Sequence, residues 1–143
     1  MSALQQLRRT EPRFERFAVV LQEAGLPTDD LDGASRFFVL SSDAEAFGGL
    51  EGSGPDQLIR SVVVSRSSRG RGLGGQIVEA LVSQARTDGV ERLWLLTTSA
   101  DRFFADLGWT VAERAAAPEA VRATRQFAGL CPASAVLMCR RLA

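Results

Sequence analysis

The sequence predicts one α/β domain over residues 1–143, with a mixed sheet of about six to seven strands and helices on both faces. The first observation behind this prediction is the order of the apolar patterns, which read β-α-β-β-β-α-β-α-β-α-β. The second is a helix pattern enclosed by two apolar strands, which is typical of a crossover between parallel strands. The third is composition. A chain of 143 residues, 45% apolar and 24% charged, can form one core without a disulfide or a metal.

The first helix is predicted over residues 11–24, after a short strand. Thr10 is the expected N-cap, Pro12 suits the first turn, and Gly25 ends the pattern. Apolar residues at helical spacing form one stripe that would face the core, namely Phe14, Phe17, Ala18 and Leu21.

Three strands are predicted next. Residues 36–40 and 46–51 form a hairpin through a polar turn at residues 42–45. Residues 57–64 are more apolar, which favours a strand buried on both faces at the middle of the sheet.

The second half of the chain begins with the crossover. A helix follows the glycine-rich segment 65–75 and ends at Gly89, and residues 92–97 form a second buried strand. Thr98, with Asp101 three positions later, predicts a capping box for a short helix. The last elements are expected to be a strand at residues 109–113, a helix at residues 118–128 and a strand at residues 135–142.

The basic residues exclude several kinds of chemistry. All 17 are Arg, and the chain has no Lys, His or Tyr. These absences exclude a phosphate loop ending in Gly-Lys-Ser/Thr, a lysine Schiff base, a Ser-His-Asp triad, most zinc sites and a phenolic proton donor. Because 17 acidic residues balance the charge, we expect neither nucleic acid nor a membrane as partner.

Cys131 and Cys139 are too few for a disulfide framework, and no His is present to complete a metal site. No segment has the apolar length of a signal peptide or a transmembrane helix. We therefore expect reduced thiols, no metal and a cytoplasmic location.

The glycine-rich turn before the second helix has the features of an anion site. N–H groups at a helix N-terminus attract phosphate, glycines let it approach the main chain, and Arg69 and Arg71 add charge. A flexible surface turn is the structural alternative. Gly70, Gly72 and Gly75 also match the spacing of a dinucleotide-binding fingerprint, but the match is weak because a hairpin precedes the turn.

Two motifs resemble the GNAT N-acetyltransferases, and the element order agrees over nearly the whole chain. The signature R/Q-x-x-G-x-G/A is matched by Arg69-Gly70-Arg71-Gly72-Leu73-Gly74, four residues after Val62-Val63-Val64. The family pattern A-x-x-F-Y-x-x-x-G-F is similar to the run from Ala100 to Trp109. Residues 122–135 resemble the arsenic-resistance (ArsN-type) members.

This resemblance implies a GNAT-like fold, acetyl-CoA as co-substrate and a small-molecule amine as acetyl acceptor. Main-chain groups of residues 62–64 would bind the pantetheine arm and offer an N–H to the thioester oxygen, and the glycine turn would hold the pyrophosphate. The residues expected to contact acetyl-CoA are Val62, Val63, Val64, Arg69, Gly70, Arg71, Gly72, Leu73, Gly74, Gly75 and Phe104.

Three residues are candidates for proton transfer. Phe104 stands where the family usually has the Tyr that protonates the departing thiolate, so water, Ser99 or Cys131 is left as the donor. A core thiol is the alternative for Cys131. Glu51 is a candidate base that would act on the amine through water, and a solvated hairpin carboxylate is its alternative.

Only Arg can bind an anionic acceptor in a chain without Lys. Arg60 interrupts the central strand and needs either a protein carboxylate or an acidic substrate. Arg122 and Arg125 lie three apart on the last predicted helix, and the resemblance makes Arg122 a candidate clamp for an amino-acid-like arsenical. We also expect a homodimer. A CoA-binding protein without catalysis is the alternative function, because Lys, His and Tyr are absent.

Overall fold

Seven strands form a single sheet in the computed structural model, which describes residues 3–31, 35–41, 45–130 and 133–142. They are β1 (Ala3–Gln6), β2 (Arg36–Ser41), β3 (Ala46–Glu51), β4 (Asp56–Val64), β5 (Arg92–Thr97), β6 (Thr110–Ala112) and β7 (Val136–Arg141). The order across the sheet is β1-β2-β3-β4-β5-β7-β6. Among these strands, β4 and β5 pair in parallel and the other neighbours pair antiparallel. The predicted mixed sheet is confirmed.

Helices cover both faces of this sheet, as predicted. They are α1 (Pro12–Glu23), α2 (Leu73–Thr87), α3 (Asp101–Asp106) and α4 (Glu119–Arg122), with a π-helical turn at Gln126–Leu130 and short 3-10 turns at Arg66–Ser68 and Arg114–Ala116. None of the helices in the described ranges combines the length and apolarity needed to cross a bilayer.

The core forms on both faces because neighbouring strand residues point in opposite directions. On one face α2 buries Ile77, Leu81 and Ala85 among Phe38, Leu50 and Ile59. On the other face α1 buries Phe17, Val20 and Leu21 among Phe37, Phe47 and Val63. Two glycines of β3 permit this close approach, since a Cβ at Gly48 would lie 2.6 Å from Leu81 and one at Gly49 would lie 2.7 Å from Phe37.

A β-bulge interrupts β4 at Ser61. Phe47 of β3 pairs with Val63, but Gly49 pairs with Arg60, so two residues of β4 oppose one residue of β3. Ser61 has φ 56°, and it is the one non-glycine residue with positive φ among those described. The extra residue shifts the alternation of side chains, so that Val62 packs with the α2 core and Val63 with the α1 core.

The parallel strands β4 and β5 separate towards their carboxyl ends. Their pairing covers residues 56–58 and 92–94 and ends at Leu58 and Trp94. Beyond that point the edge of β4 that faces β5 has no strand partner among the described residues. The two strands therefore open a gap at the centre of the sheet.

Two predicted helix caps were wrong. The first helix begins at Pro12 with Glu11 as N-cap residue, not Thr10, and the Glu11 carboxylate accepts a hydrogen bond from the Arg8 N–H at 2.9 Å. The short helix α3 begins at Asp101 without a side-chain cap, and the Ala100 N–H donates to the Thr97 hydroxyl at 2.9 Å, in place of a capping box from Thr98.

The helix predicted over residues 118–128 is broken. α4 ends at Arg122, and the π-helical turn begins at Gln126. The buried Thr124 explains the break, because its hydroxyl donates to the Val121 carbonyl at 2.7 Å and accepts the Phe127 N–H at 3.3 Å. Of the polar turn predicted between β2 and β3, residues 42–44 lie outside the described residues.

Candidate functional site

A cavity of about 370 Å³ occupies the gap between β4 and β5. Residues 59–62 of β4 form one side of it and residues 95–97 of β5 form the other. The loop after β5, Phe104 of α3 and the loop that follows α1 complete the walls. A concave space lined mainly by apolar groups, with some polar ones, at the carboxyl ends of two parallel strands is a typical ligand site of α/β proteins.

The N-terminus of α2, which follows β4 and the wall that β4 gives to the cavity, has the main-chain arrangement of an anion cradle. Gly72 is the N-cap residue with φ 73°, and no side chain caps the first turn, so its N–H groups are open to a ligand. Gly70 has φ 82°, and a Cβ at either glycine would meet nothing within 4 Å, so the turn borders open space. The main chain here is therefore suited to bind phosphate.

The remaining residues of the glycine turn are of two kinds: exposed cationic side chains and residues that pack against the protein. Arg69 and Arg71 are exposed, and the Arg69 Nε–H donates to the Val64 carbonyl at 3.2 Å. Leu73 is buried in the α2 core. A Cβ at Gly74 would lie 3.2 Å from the ring of Phe103, so Gly74 also lets α3 approach α2. The Cβ position of Gly75 meets Leu107 at an ordinary 3.9 Å.

Arg60 lies at the base of the cavity in a buried ion-pair cluster. Its side chain is 0% exposed, and its two Nη groups donate to the two carboxylate oxygens of Asp30, each at 2.5 Å. One Nη also donates to Glu51 at 3.0 Å, and the Nε–H donates to the Ser61 hydroxyl at 3.1 Å. The guanidinium lies 5.2 Å from the centre of the Phe37 ring. Of the two interpretations of Arg60, this geometry favours the protein salt bridge.

The candidates for proton transfer lie at different distances from the cavity. Ser99 is exposed on its wall, and Phe104 is nearly buried in the same wall, against Phe103 and Trp109. Glu51 ends β3, is bound to Arg60 and does not line the cavity. Cys131 lies outside the described residues.

The second thiol belongs to the core rather than to the site. Cys139 lies on β7 opposite Trp94 of β5 and packs against the cluster of Leu58 and Val121. Burial raises the pKa of the Cys139 thiol, so it stays protonated at neutral pH.

The structure does not bring Arg122 and Arg125 to the cavity. Both are exposed and neither lines it. They do not share a continuous helix face either, because α4 ends at Arg122. Their proposed role as an acceptor clamp stays a prediction. Among the described residues, no group of three or more His, Cys, Asp or Glu is placed to hold a metal ion.

The family follows from a match to its model. Residues 1–109 match the acetyltransferase (GNAT) family, and this stretch contains β1 to β5, the glycine turn and the cavity walls contributed by β4 and β5. The chain belongs to the GNAT family. The finer resemblance to the arsenic-resistance members stays a prediction.

Several solved structures share the fold of this chain. The N-acetylglutamate synthase of Neisseria gonorrhoeae, complexed with coenzyme A and N-acetyl-glutamate, has a TM-score of 0.81 and 21% identity, covering 100% of this chain and 35% of the synthase chain. Rv2747 from Mycobacterium tuberculosis, in complex with CoA and NLQ, has a TM-score of 0.79 and 20% identity and is matched over 99% of both chains. Identities this low show the fold alone.

A sequence relative matches a shorter stretch. The mouse N-alpha-acetyltransferase 80 is 43% identical over 56 residues, which is 39% of this chain and 18% of the mouse protein. The chain thus spans about a fifth of that relative and 35% of the Neisseria synthase chain.

Sequence reasoning missed several residues of this GNAT site. Asp30 was not identified as the partner of Arg60, although a guanidinium in a central strand signals that some carboxylate must be near. The bulge at Ser61 has no signal in the sequence, since serine is ordinary in a strand. Leu26 and Pro27 form part of the cavity wall, and neither was predicted as a site residue.

Proposed function

We propose that this GNAT protein is an acetyl-CoA-dependent N-acetyltransferase that acts on the amine of a small molecule. The observation that carries the proposal is the opening of the β4–β5 cavity beside the uncapped N-terminus of α2. This arrangement joins a cradle for phosphate to a channel edged by unpaired strand main chain. The CoA molecules bound to the synthase and to Rv2747 support the choice of ligand.

The chain has groups suited to the diphosphate and to the pantetheine arm of acetyl-CoA. Open N–H groups of the first turn of α2 would hold the diphosphate, and Arg69 and Arg71 would add positive charge. The free edge of β4 beyond Leu58 would hydrogen-bond the amides of the pantetheine arm as an added strand does. When bound, acetyl-CoA supplies an acetyl group activated as a thioester.

Main chain rather than side chains would stabilise the reacting carbonyl. The bulge at Ser61 turns the main chain of residues 61–62 at the cavity wall, where an N–H group could donate to the thioester oxygen. The hydroxyl of Ser99 is available on the same wall as a proton donor, and Phe104 offers none. Glu51 would take up the proton of the amine through water, since Arg60 lies between it and the cavity.

Calorimetry and a thiol-release assay test the proposal together. We expect a dissociation constant for acetyl-CoA well below about 1 mM. We also expect the protein to release free CoA thiol from acetyl-CoA in the presence of at least one of a panel of primary amines. Absence of binding at that concentration would overturn the proposal, and tight binding of NAD(P) instead would restore the dinucleotide interpretation.

An arsenic-resistance role is a narrower form of this proposal. The support for it is the resemblance of residues 122–135 to the ArsN-type enzymes, and the acceptor would be an amino-acid-like arsenical. Acetylation of such an arsenical, compared with the same amine without its acidic groups, tests it.

A CoA-binding protein without catalysis is the second candidate. The observation in its favour is Phe104, which leaves this cavity wall without the phenol of related sites. Sustained turnover on any amine excludes it.

A further inference from the structure

The buried side chain of Arg60 is bonded to the one residue of β4 that has a positive φ. The Arg60 Nε–H donates to the Ser61 hydroxyl at 3.1 Å. Ser61 lines the cavity and has φ 56°. A residue other than glycine keeps such a φ only where its surroundings impose it. The contacts of Ser61 therefore decide the shape of this part of the cavity wall.

Strand pairing holds the two sides of the β-bulge but not its centre. The pairing of β3 with β4 is regular up to Arg60 and again from Val63, but neither Ser61 nor Val62 has a residue of its own opposite on β3. On the other edge of β4, the pairing with β5 has already ended at Leu58. The main chain of the bulge therefore needs a further contact to keep one conformation.

The guanidinium that donates to Ser61 is itself fixed. Its two Nη groups donate to both carboxylate oxygens of Asp30, and one of them also donates to Glu51. The side chain has no exposed surface, and the guanidinium carbon lies 5.2 Å from the centre of the Phe37 ring. A donor held on these several sides cannot follow a movement of Ser61. The hydrogen bond therefore constrains Ser61 more than it constrains Arg60.

This constraint reaches the main chain because the serine side chain is short. The hydroxyl oxygen is bound directly to Cβ, so fixing it limits χ1 and, with it, the backbone angles that Ser61 can adopt. The main chain of residues 61–62 lies at the cavity wall, where an N–H group would donate to the thioester oxygen. Such a donor lowers the barrier only when it is held in place before the reaction.

We infer that Arg60 is a positioning residue for acetyl transfer, which acts through the Ser61 hydroxyl to hold the bulge in the conformation that aims this N–H at the thioester oxygen. This role rests on the proposed acetyl transfer and goes beyond stabilising the fold. Because the Arg60 side chain is fully buried, it acts without touching either substrate.

The aimed N–H would serve one step of the transfer. The amine nitrogen forms a bond to the thioester carbon, negative charge develops on the carbonyl oxygen, and the C–S bond then breaks. The N–H stabilises the charge on that oxygen. Of the two protons lost by the ammonium group, one ends on the CoA thiol and the other in solvent.

Three substitutions at Ser61 separate the hydrogen bond from the backbone angle. Ser61→Ala loses the hydroxyl and keeps the strained φ. Ser61→Gly loses the hydroxyl but adopts a positive φ without strain. Ser61→Asn adopts this φ more readily than most residues do, and its side-chain oxygen can accept the Nε–H. If the φ alone mattered, the glycine variant would be as fast as the parent.

The kinetics of thiol release measure the effect, with an amine that the parent acetylates. We expect kcat to fall by about tenfold or more in both Ser61→Ala and Ser61→Gly. The dissociation constant of acetyl-CoA and the KM of the amine should change less than about threefold, because the donor acts mainly on the charge of the transition state. Ser61→Asn should be at least about threefold faster than either variant.

The matched control is Ser53→Ala, since Ser53 is an exposed serine in the turn before β4 and does not line the cavity. It should keep the kcat of the parent. Circular dichroism shows whether each variant is folded.

Several outcomes would overturn the positioning role of Arg60 and leave the proposed acetyl transfer standing. They are a glycine variant as fast as the parent, an asparagine variant no faster than the alanine variant, and a loss of kcat matched by an equal loss of affinity for acetyl-CoA. If Ser61→Ala does not fold, equal kcat values for the glycine and asparagine variants overturn it. If the parent releases thiol with no amine, the positioning role is wrong, and calorimetry with acetyl-CoA then shows whether the protein still binds the cofactor.

Discussion

Asp30 and Arg60 stabilise the fold as a pair, because both side chains are buried and are joined by two hydrogen bonds. Either side chain alone would be a buried charge without its partner. We predict that Asp30→Ala lowers the free energy of unfolding by about 3–5 kcal/mol, since it leaves the guanidinium buried beside Glu51 alone. The double variant Asp30→Leu/Arg60→Met should recover much of that loss. Urea unfolding followed by circular dichroism measures both.

The control for this prediction is Glu79→Ala, which removes an exposed carboxylate that pairs with Arg140. A surface pair of this kind contributes less than about 1 kcal/mol. If Asp30→Ala were as mild as Glu79→Ala, the buried pair would not hold the loop after α1 in place.

A second prediction at the residue scale concerns the effect of substitutions at Phe104 on the rate of acetyl transfer. We expect Phe104→Tyr to retain activity and to raise kcat by up to about tenfold, because the phenol adds a proton donor to the cavity wall. Thiol release measured across pH tests this. Phe104→Leu keeps the wall apolar without adding a hydroxyl, so a rise in both variants would show that the ring, and not the missing donor, limits the rate.

Single residues also mark where prediction from sequence stops. Arg60 signals a buried carboxylate by its position in an apolar strand, but nothing local indicates Asp30, thirty positions earlier. The positive φ of Ser61 is equally unpredictable, because tertiary pairing with β3 imposes it on a residue with no preference for it.

At the scale of elements, the two ends of α2 offer a controlled test of the anion cradle. Gly72 begins the helix and Gly89 follows its end, and both have positive φ with open space around the Cβ position. Gly72→Asp and Gly89→Asp should therefore cause comparable backbone strain. We predict that Gly72→Asp weakens acetyl-CoA binding by at least about a hundredfold, because its carboxylate opposes the diphosphate, while Gly89→Asp changes it little.

Calorimetry on the two folded variants checks this prediction. Equal affinities would mean that the phosphates bind elsewhere than at α2.

The strands were more predictable than the helix ends. Apolar runs predicted β2 to β5 and β7, because these strands are buried against the helices. The break in the helix predicted over residues 118–128 could not be predicted. It follows from the hydrogen bonds that the Thr124 hydroxyl makes with the main chain, and threonine does not make these bonds in every helix.

At the scale of the whole molecule, ion pairs between elements make stability depend on pH. A hydrogen bond from Arg16 of α1 lowers the pKa of Glu45, next to β3, and one from Arg36 of β2 lowers the pKa of Asp88, at the end of α2. A carboxyl group whose pKa is lower in the folded state stabilises the fold above its unfolded value, here 4.5 for Glu and 3.8 for Asp. This contribution is lost as the pH falls through the lowered folded pKa.

We therefore predict that the urea midpoint falls between pH 6 and pH 3, with each pair contributing less than about 1 kcal/mol because water screens it. Glu45→Gln and Asp88→Asn should each reduce the slope. A midpoint that is constant over this range would contradict the prediction.

The fold and the glycine turn before α2 could be predicted from sequence because they depend on local patterns, namely the period of the apolar residues and glycines before a helix. The surroundings of Arg60 could not. They are assembled from Leu26, Asp30 and Glu51, which lie on separate segments and come together only in the folded chain.

The bulge at Ser61 acts on β4 as a frameshift acts on a coding sequence. Every residue of β4 after the bulge faces the side of the sheet opposite to the one that it would face in a regular strand of the same sequence. Deleting Ser61 would remove the bulge and leave Val62 facing the α2 core and Val63 facing the α1 core, whereas a regular strand that kept Ser61 would exchange their surroundings. A segment transplanted into this strand from a protein without the bulge must therefore be one residue shorter at this point, however similar the two sequences look when aligned without a gap.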